Sequence, residues 1–331
     1  MDKKGRILTG HRPTGPRHIG HLVGTLETWA AIQDKFECYF LVADLHVLTT
    51  DYDHPKRIHA NILDVLADWI AAGIDPKRSS IVLQSAIPEH AQLSLLLGML
   101  VTVSRLTRVP TYKEQVKELK LQPSMGFLTY PVLQAADILI YKADVVPIGE
   151  DQLPHLEVTR EIARRFNQLY GQAFSEPEPL LSHTPRLPGT DNRTMHTSYG
   201  NTIFLKDTPE ETTRKVMNMY TDPTRIHHTD PGHVEGNPVF TYHDVFNPDI
   251  EEVVELKNLY RAGKIGDVEV KRRLSVVLND YLDPVRQQRA DLCAHPDDLR
   301  DIIRSGTMRA RPIAQSTISE VYKKMGLGTI V

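Results

Sequence analysis

Two histidines near the start of the chain stand three residues apart in a glycine-rich stretch. His18 and His21 follow the β-rich run Arg6–Thr9, and Gly20 lies between them. On the first turn of a helix, side chains three apart project to one side, so both imidazoles could donate to phosphate oxygens. Free N–H groups and the helix dipole favour the same ligand, and a glycine lets a planar base approach the backbone. The pattern predicts a nucleotide site, although it matches neither the P-loop nor the dinucleotide fingerprint, and such turns also arise by chance.

A carboxylate further along the chain stands in an otherwise apolar helix. Asp137 lies within Gln134–Tyr141, and a carboxylate buried there needs a donor to offset its desolvation. On the residues alone, that donor could be the end of a neighbouring helix, a lysine, or a ligand.

Both groups depend on the elements that position them, and the first 170 residues alternate between short β-rich runs and stretches of helical period. This order is typical of an α/β fold, in which helices cover a parallel sheet. The clearest helix is Pro55–Ala72, where apolar residues recur every three or four positions. The predicted strands are Arg6–Thr9, Cys38–Ala43, Ser80–Gln84 and Asp144–Ile148.

An insertion is predicted to interrupt this sheet. The apolar stretch Ala91–Leu106 precedes the charged segment Tyr112–Leu121, and such an insertion could carry an oligomer interface. Over Pro177–Asn192 the composition shifts to Pro, Gly, Ser, Thr and Asp, which is typical of loops, and we place a domain boundary there. The second domain is predicted to be helical. Its helices are Pro209–Tyr220, Pro248–Ala262, Asp267–Asp280, Pro284–Leu292 and Arg311–Met325.

The composition bounds the class of protein. The chain has 331 residues, 40% hydrophobic and 24% charged, which excludes a disordered or fibrous protein. No apolar run approaches the roughly 18 residues of a membrane span, and no signal peptide follows Met1, so we expect a cytoplasmic protein without a membrane segment. Its two cysteines, Cys38 and Cys293, cannot build a disulfide framework or a cysteine-rich metal site.

The charge is uneven along the chain. Residues 257–331 carry 14 lysines and arginines against 9 acidic residues, whereas residues 1–256 carry 25 against 33. Solvated helix faces and a polyanion-binding surface both explain this asymmetry.

Several strings resemble a known family in order and spacing. His18–His21 reads His-Ile-Gly-His, the HIGH motif of class I aminoacyl-tRNA synthetases, on the strand-to-helix turn where that family carries it. The whole set resembles the tryptophanyl-tRNA synthetases, and the similarity runs from Thr9 to Leu327. The other strings are Tyr130–Leu139, Val146–Gln152, Thr159–Glu161, Met219–Pro223 and Glu235–Phe240.

The resemblance implies a fold and a reaction. Residues 1–190 are expected to form a Rossmann-like catalytic domain with a dimerisation insertion at about 100–130, and residues 191–331 a catalytic loop and a helical domain that binds the tRNA anticodon. Tryptophan would attack ATP to give tryptophanyl-adenylate, and the terminal hydroxyl of tRNA(Trp) would then take the acyl group. Magnesium would arrive with ATP, because no dedicated metal cluster is visible. A homodimer is implied.

The resemblance also implies the amino-acid pocket. Asp137 would accept the indole N–H of tryptophan, a bond that phenylalanine cannot make. Val146 and Ile148 would line the cavity, although core packing also explains both. The remaining implied pocket residues are Tyr130, Gln134, His46 and Gln152.

The implied ATP site begins at Arg12, which could meet the substrate carboxylate or a phosphate. Gly149 and Asp151 would approach the ribose hydroxyls at the carboxyl edge of the sheet. The other implied ATP contacts are Thr14, Gly15, Gly20, His21, Met195 and Ser198.

The sequence departs from the family at the mobile KMSKS loop, where Thr194–Ser198 has threonine at both lysine positions. Those lysines stabilise the charge on the phosphates, and the loss of one such group costs on the order of 10²–10³ in rate. In one hypothesis, Arg193, His196 and magnesium substitute, and His18, His21, Arg193, His196 and Thr197 are the catalytic residues. In the other, the protein is an auxiliary or non-acylating paralogue, or passes the adenylate to an acceptor other than tRNA.

Overall fold

A five-stranded parallel sheet forms the centre of the α/β part of the chain. The computed structural model describes residues 4–110, 112–113, 116, 122–181, 187–227 and 229–328. The strands are β1 (Arg6–His11), β2 (Glu37–Val42), β3 (Ser80–Leu83), β4 (Val145–Ile148) and β5 (Glu178–Leu181). Their order is β3-β2-β1-β4-β5, and every neighbouring pair is parallel. The predicted α/β fold class and the four predicted strands are confirmed.

The central strands are apolar because helices cover both faces of the sheet. Ile7 of β1 and Phe40 of β2 are fully buried. Strand β5 was missed, since it lies within the segment predicted to be loop. It is an edge strand that contains Pro179, and its residues are exposed or half-buried, so its pairing with β4 depends on backbone contacts that apolar alternation does not signal.

Helices connect consecutive strands and also follow the last strand in the described chain. A helical run begins with α1 (Ile19–His21), passes through a π-turn at Leu22–Leu26 and continues as α2 (Glu27–Ile32). The others within the described residues are α3 (Asp44–Val47), α4 (Pro55–Ala71), α5 (Glu89–Gly98), α6 (Val103–Leu106), α7 (Met125–Ile140), α8 (Leu153–Tyr170), α9 (Pro209–Met217), α10 (Pro238–Phe246), α11 (Ile250–Arg261), α12 (Asp267–Ala294) and α13 (Pro296–Lys324).

The chain divides into two compact units. One contains the described parts of residues 1–15, 25–183 and 292–331, and the other those of 16–24 and 184–291. The last helix, α13, therefore packs with the sheet. The functional division predicted at residue 190 stays a prediction. Of the predicted charged segment Tyr112–Leu121, only residues 112, 113 and 116 are described, and among the described helices none has the length and apolar character of a membrane span.

Prolines misled three of the helix predictions. Helix α12 runs through Pro284, where two helices were predicted, and α13 begins at Pro296 and contains Pro312, close to its predicted start. A proline inside a helix removes one backbone hydrogen bond, but buried apolar residues on both sides, such as Leu299 and Ile318, keep the helix packed. Helix α10 was missed, although Asn237 caps it and Pro238 stands at its first position.

Helix α13 covers the open edge of the sheet at β3. Gly306 lies so close to this strand that a Cβ atom there would be 2.1 Å from the carbonyl oxygen of Ile81. The hydroxyl of Thr307 accepts a hydrogen bond from the backbone N–H of Leu83 at 3.0 Å. The helix thus occupies an edge that would otherwise offer free backbone groups to another chain.

We expect Gly306→Ala to lower the free energy of unfolding by roughly 1–3 kcal/mol, because the added methyl group pushes helix and strand apart. Urea denaturation followed by circular dichroism measures the change. Gly98→Ala in α5 is the control, since a Cβ atom there would meet no described atom within 4 Å. Equal stability of the two variants would contradict the close contact.

Candidate active site

A buried cluster of polar side chains surrounds Asp137 on α7, whose side chain is almost fully buried. His46 places Nε2 2.8 Å from Oδ2, and His90 places Nδ1 2.6 Å from Oδ1. The amide of Gln84 donates to both oxygens at 2.8 and 2.9 Å. Two imidazoles and an amide therefore supply the hydrogen bonds, rather than a lysine or a helix end.

The cluster forms where parallel strands end. His46 lies in α3, directly after β2, and Gln84 directly follows β3. Asp44, two residues before His46, accepts from the backbone N–H and the hydroxyl of Ser85 at 2.9 and 2.5 Å. These bonds tie the ends of two neighbouring strands together at the edge where open α/β sheets bind ligands.

Asp137 is ionised in this environment. Burial by itself raises the pKa of a carboxyl group, but the hydrogen bonds from His46 and His90 outweigh it and hold the pKa of Asp137 below its ordinary value. The result is a buried anion that can only accept hydrogen bonds.

Tyr130 has a buried partner that sequence analysis missed. Its hydroxyl lies 2.7 Å from Nε2 of His155, and the two rings are 5.3 Å apart. Burial lowers the pKa of His155 to about 4, so its imidazole is neutral near pH 7. A neutral Nε2 that accepts the phenol hydrogen fixes the orientation of the tyrosine ring.

The other predicted pocket residues lie in the same unit. Gln134 precedes Asp137 by almost one turn of α7, so both lie on one side of that helix. Val146 is buried in the hydrophobic core, and Ile148 packs against the same core. Gln152 donates to Asp151 at 2.8 Å on the surface. For Val146, core packing is the observed role, and its contact with a ligand stays a prediction.

The predicted ATP residues of this unit follow β1 and β4. Arg12 is largely buried and donates to the hydroxyl of Thr50, and burial lowers the pKa of its guanidinium. Thr14 is exposed, whereas Gly15 is buried with a φ of +135° that favours glycine. At Gly149, a Cβ atom would lie 2.7 Å from Oδ1 of Asp151.

One group could hold a metal ion near Arg12. Asp51, Asp53 and His54 place ligand atoms within 4.8 Å of one another. All three are at least partly exposed, and His54 already contacts Asp51 at 2.7 Å. The expectation that the chain has no metal site of its own stays a prediction.

The second unit holds both predicted histidines. The rings of His18 and His21 are 3.7 Å apart, and Nδ1 of His21 accepts from the backbone N–H of His18 at 3.4 Å. Burial, with the nearby charges of Arg17 and His196, lowers the pKa of His18 to about 3. His18 is therefore neutral near pH 7, and its buried Nδ1 has no hydrogen-bond partner among the described residues.

The altered loop Thr194–Ser198 lies against this turn. A Cβ atom at Gly20 would be 3.0 Å from the sulfur of Met195 and 3.1 Å from Nδ1 of His18, so the glycine admits both side chains. Thr197 begins a short turn and is exposed. The side chain of Ser198 lies outside the described residues.

Asn201 organises the altered loop. Its buried amide donates to the carbonyl oxygen of Thr194 at 3.0 Å and to Asp191 at 2.8 Å, and accepts from the backbone N–H of His196 at 2.9 Å. Gly189 permits this arrangement, because a Cβ atom there would lie 2.2 Å from the Asn201 amide. The backbone of the loop is thus held without any contribution from lysine.

The positively charged side chain of this loop, Arg193, already contacts two other residues. Arg193 donates to Asp191 at 2.7 Å, and its guanidinium lies 5.4 Å from the centre of the Tyr199 ring. The exposed His196 ring is 5.0 Å from the same tyrosine. Asp191 contacts Nε and Nη2 of Arg193, and a guanidinium has five N–H donors, so further donors remain for a phosphate.

Sequence analysis missed Gln84, His90 and His155. Gln84 carried a signal, because it stands at the carboxyl end of a predicted strand. His90 and His155 carried none that separates them from the chain's other histidines.

The buried histidines predict a dependence of stability on pH. His155 has a pKa of about 4 when folded and about 6.5 when unfolded, so between these values only the unfolded chain takes up the proton. We therefore expect the free energy of unfolding to fall as the pH decreases from 6.5 to 4, by up to about 1.4 kcal/mol per pH unit from this group. Urea denaturation at several pH values measures the slope. His155→Gln, which keeps an acceptor for Tyr130, should show a shallower decrease, and identical slopes would contradict the assignment.

Known proteins resemble this chain over nearly its whole length. The family model for class I tRNA synthetases (W and Y) matches residues 1–283. A tryptophan–tRNA ligase of Chlamydia caviae is 47% identical over 335 residues, covering 99% of this chain and 97% of that ligase. A second, from Treponema pallidum, is 48% identical over 326 residues, covering 97% of each chain. The crystal structure of tryptophanyl-tRNA synthetase from Campylobacter jejuni, complexed with ADP and tryptophan, is 32% identical with a TM-score of 0.87, and covers 97% of this chain and 100% of that one.

Proposed function

Because the chain belongs to the class I tRNA synthetases of the tryptophan and tyrosine type, we propose specific roles for its residues in the reaction of a tryptophan–tRNA ligase. The chain is an aminoacyl-tRNA synthetase, and tryptophan–tRNA ligase is its function. The relatives do not favour the non-acylating paralogue. Tryptophan and tRNA(Trp) are the substrates of such an enzyme, and ATP is the third.

The proposed specificity for tryptophan rests on one observation, the buried carboxylate anion of Asp137. An ionised carboxylate away from water accepts an N–H donor strongly and leaves an energetic penalty when the ligand has none. The indole N–H of tryptophan is such a donor, and the side chain of phenylalanine is not. In this proposal Tyr130, oriented by His155, and Ile148 line the indole cavity, while Gln134, His46 and Gln152 complete the pocket.

ATP is proposed to bind along the glycine-rich turn and the altered loop. The neutral His18 can donate one ring N–H to a phosphate oxygen, and His21 stands beside it. Gly20 leaves room for the base next to Met195. Supporting contacts are assigned to Arg12, Thr14, Gly15, Gly149, Asp151 and Ser198.

The chemistry is an in-line attack of the tryptophan carboxylate on the α-phosphorus of ATP, which forms the mixed anhydride and releases pyrophosphate. A hydroxyl of the terminal ribose of the tRNA then attacks the acyl carbon and releases AMP. Catalysis of the first step is mainly positioning and stabilisation of the negative charge that grows on pyrophosphate. In this proposal that stabilisation comes from His18, His21, Arg193, His196 and Thr197, and magnesium that arrives with ATP would add to it.

We also propose an oligomeric state, an anticodon-binding domain and a location for the enzyme. Leu95, Met99, Val103 and Met125 are large apolar residues with more than 60% of their surface exposed, all near or within the predicted insertion, and this supports a homodimer interface there. The helical domain that includes α10 to α12 is proposed to bind the anticodon. A cytoplasmic location follows from the use of tRNA in translation.

Tryptophan-dependent exchange of pyrophosphate into ATP tests the activity and its specificity together. We expect exchange with tryptophan and none with phenylalanine. Asp137→Asn, which keeps the shape but removes the charge, should lower kcat/KM for tryptophan by about 10²-fold or more, because the site loses its charged acceptor. Asp144→Asn is the matched control, because this exposed aspartate lies directly before β4 and outside the proposed pocket. Absence of exchange in the wild type would refute the adenylation activity, and full activity of Asp137→Asn would refute the role of this carboxylate.

Restoring a lysine tests the altered loop. If the missing charge limits adenylation, Thr197→Lys should raise kcat of the exchange reaction by about tenfold or more, since one preorganised group is worth on the order of 10²–10³ in rate. Thr229→Lys, in an exposed loop of the same unit, adds the same charge elsewhere and should leave the rate unchanged. An unchanged rate in Thr197→Lys would show that the loop already supplies the charge that pyrophosphate requires.

A further inference from the structure

We propose that Gln84 and His90 are positioning residues that hold the carboxylate of Asp137 in one orientation, and that they thereby set the preference for an indole N–H donor. The inference rests on the tryptophan-binding role proposed for Asp137. Neither residue belongs to the motifs that identify the family, and both are fully buried.

The amide of Gln84 has only one possible orientation. Its oxygen accepts a hydrogen bond from the backbone N–H of Leu45 at 3.1 Å, so its nitrogen must face Asp137, where it donates to both carboxylate oxygens. A flipped amide would set two oxygens against each other and leave the Leu45 N–H without an acceptor. Gln84 therefore links the segment that carries His46 to the carboxylate and prevents the carboxylate from turning.

The imidazole of His90 is fixed by both of its nitrogens. An ionised carboxylate can only accept, so Nδ1 of His90 carries the hydrogen that faces Oδ1 of Asp137 at 2.6 Å. Nε2 lies 2.8 Å from the hydroxyl of Tyr141, which donates when the imidazole is neutral. Burial and the charge of Asp137 raise the pKa of Tyr141 well above its ordinary value, so this hydroxyl keeps its hydrogen.

These hydrogen bonds limit how many further donors the carboxylate of Asp137 can accept. A carboxylate has about four acceptor positions, and four hydrogen bonds from His46, Gln84 and His90 already reach them. Because the single Gln84 nitrogen contacts both oxygens, an indole N–H would share an acceptor position with it. Without Gln84 or His90, the same buried carboxyl group would gain a proton more readily and would then offer an O–H donor to the ligand instead.

The position of Gln84 depends in turn on the edge of the sheet. The residue before it, Leu83, bonds to Thr307 of α13, and Gly306 keeps that helix against Ile81. The two positioning residues therefore lie directly after β3 (Gln84) and on α5 (His90), and α13 packs against the edge of β3.

The test compares tryptophan with its benzothienyl analogue, β-(3-benzothienyl)alanine, in which sulfur replaces the indole N–H. The measured quantity is the ratio of kcat/KM for the two in pyrophosphate exchange. We expect His90→Leu and Gln84→Leu to lower this ratio by about tenfold, because each weakens the acceptor that only tryptophan uses. His90→Asn, whose amide can replace the Nδ1 donor, should restore most of it. A loss of packing alone would lower both values of kcat/KM and leave the ratio unchanged, which would overturn the proposal.

Two tyrosines provide a milder comparison if the leucine variants do not fold. Tyr141→Phe removes the partner of His90 and should lower the ratio about threefold. Tyr39→Phe is its matched control, because this buried ring stacks on Tyr141 at 4.7 Å but its hydroxyl bonds to Glu37 instead. Equal ratios in the two variants would overturn the role of His90. If wild-type protein prefers neither substrate, the proposed role of Asp137 itself fails, and this outcome is distinct from a wild-type preference that the variants retain.

Discussion

The burial of one carboxylate is the constraint on which the active-site unit depends. Asp137 lies on an apolar helix, where an unpaired charge would cost several kcal/mol. Its donors come from the segment after β2, the end of β3 and helix α5, so the charge is tolerated only when these elements are all in place. The network that stabilises the anion is thus the same one that shapes the proposed pocket, so the proposed specificity and the folding of this unit depend on the same contacts.

The histidine turn and the altered loop differ from the Asp137 cluster, because their described residues contain a neutral histidine and an exposed ion pair and no buried anion. His18 is neutral because burial and nearby positive charge oppose its protonation, so it can offer a phosphate a hydrogen bond but no full charge. The cation of the loop, Arg193, is bonded to Asp191, and Asn201 holds the backbone. A loop held in this way has a defined shape, and Arg193 keeps further N–H donors for the proposed contact with phosphate.

Helix α13 contributes to the sheet from the far end of the sequence. Gly306 lies against the backbone of β3, and the hydroxyl of Thr307 accepts from the backbone N–H of Leu83. Contacts with a backbone are less tolerant of substitution than contacts between flexible side chains. By covering an edge strand the helix protects the sheet from pairing with other chains, and it fixes the strand that Gln84 directly follows. The last helix therefore supports the strand beside the proposed pocket, although Thr307 lies 224 positions after Leu83.

Local patterns in the sequence were sufficient for four strands, several helices, the histidine turn and the carboxylate in an apolar helix, because apolar periodicity and short motifs act between residues that are near in the chain. The hydrogen-bond partners of Asp137 could not be predicted from local patterns, because His90, Gln84 and His46 lie 47, 53 and 91 residues before it. Strand β5 and the early start of α13 were missed because each is stabilised by its neighbours in space more than by its own composition. Burial determines which histidine is neutral, and packing determines which amide faces the carboxylate. Both exist only once the strands and helices have packed.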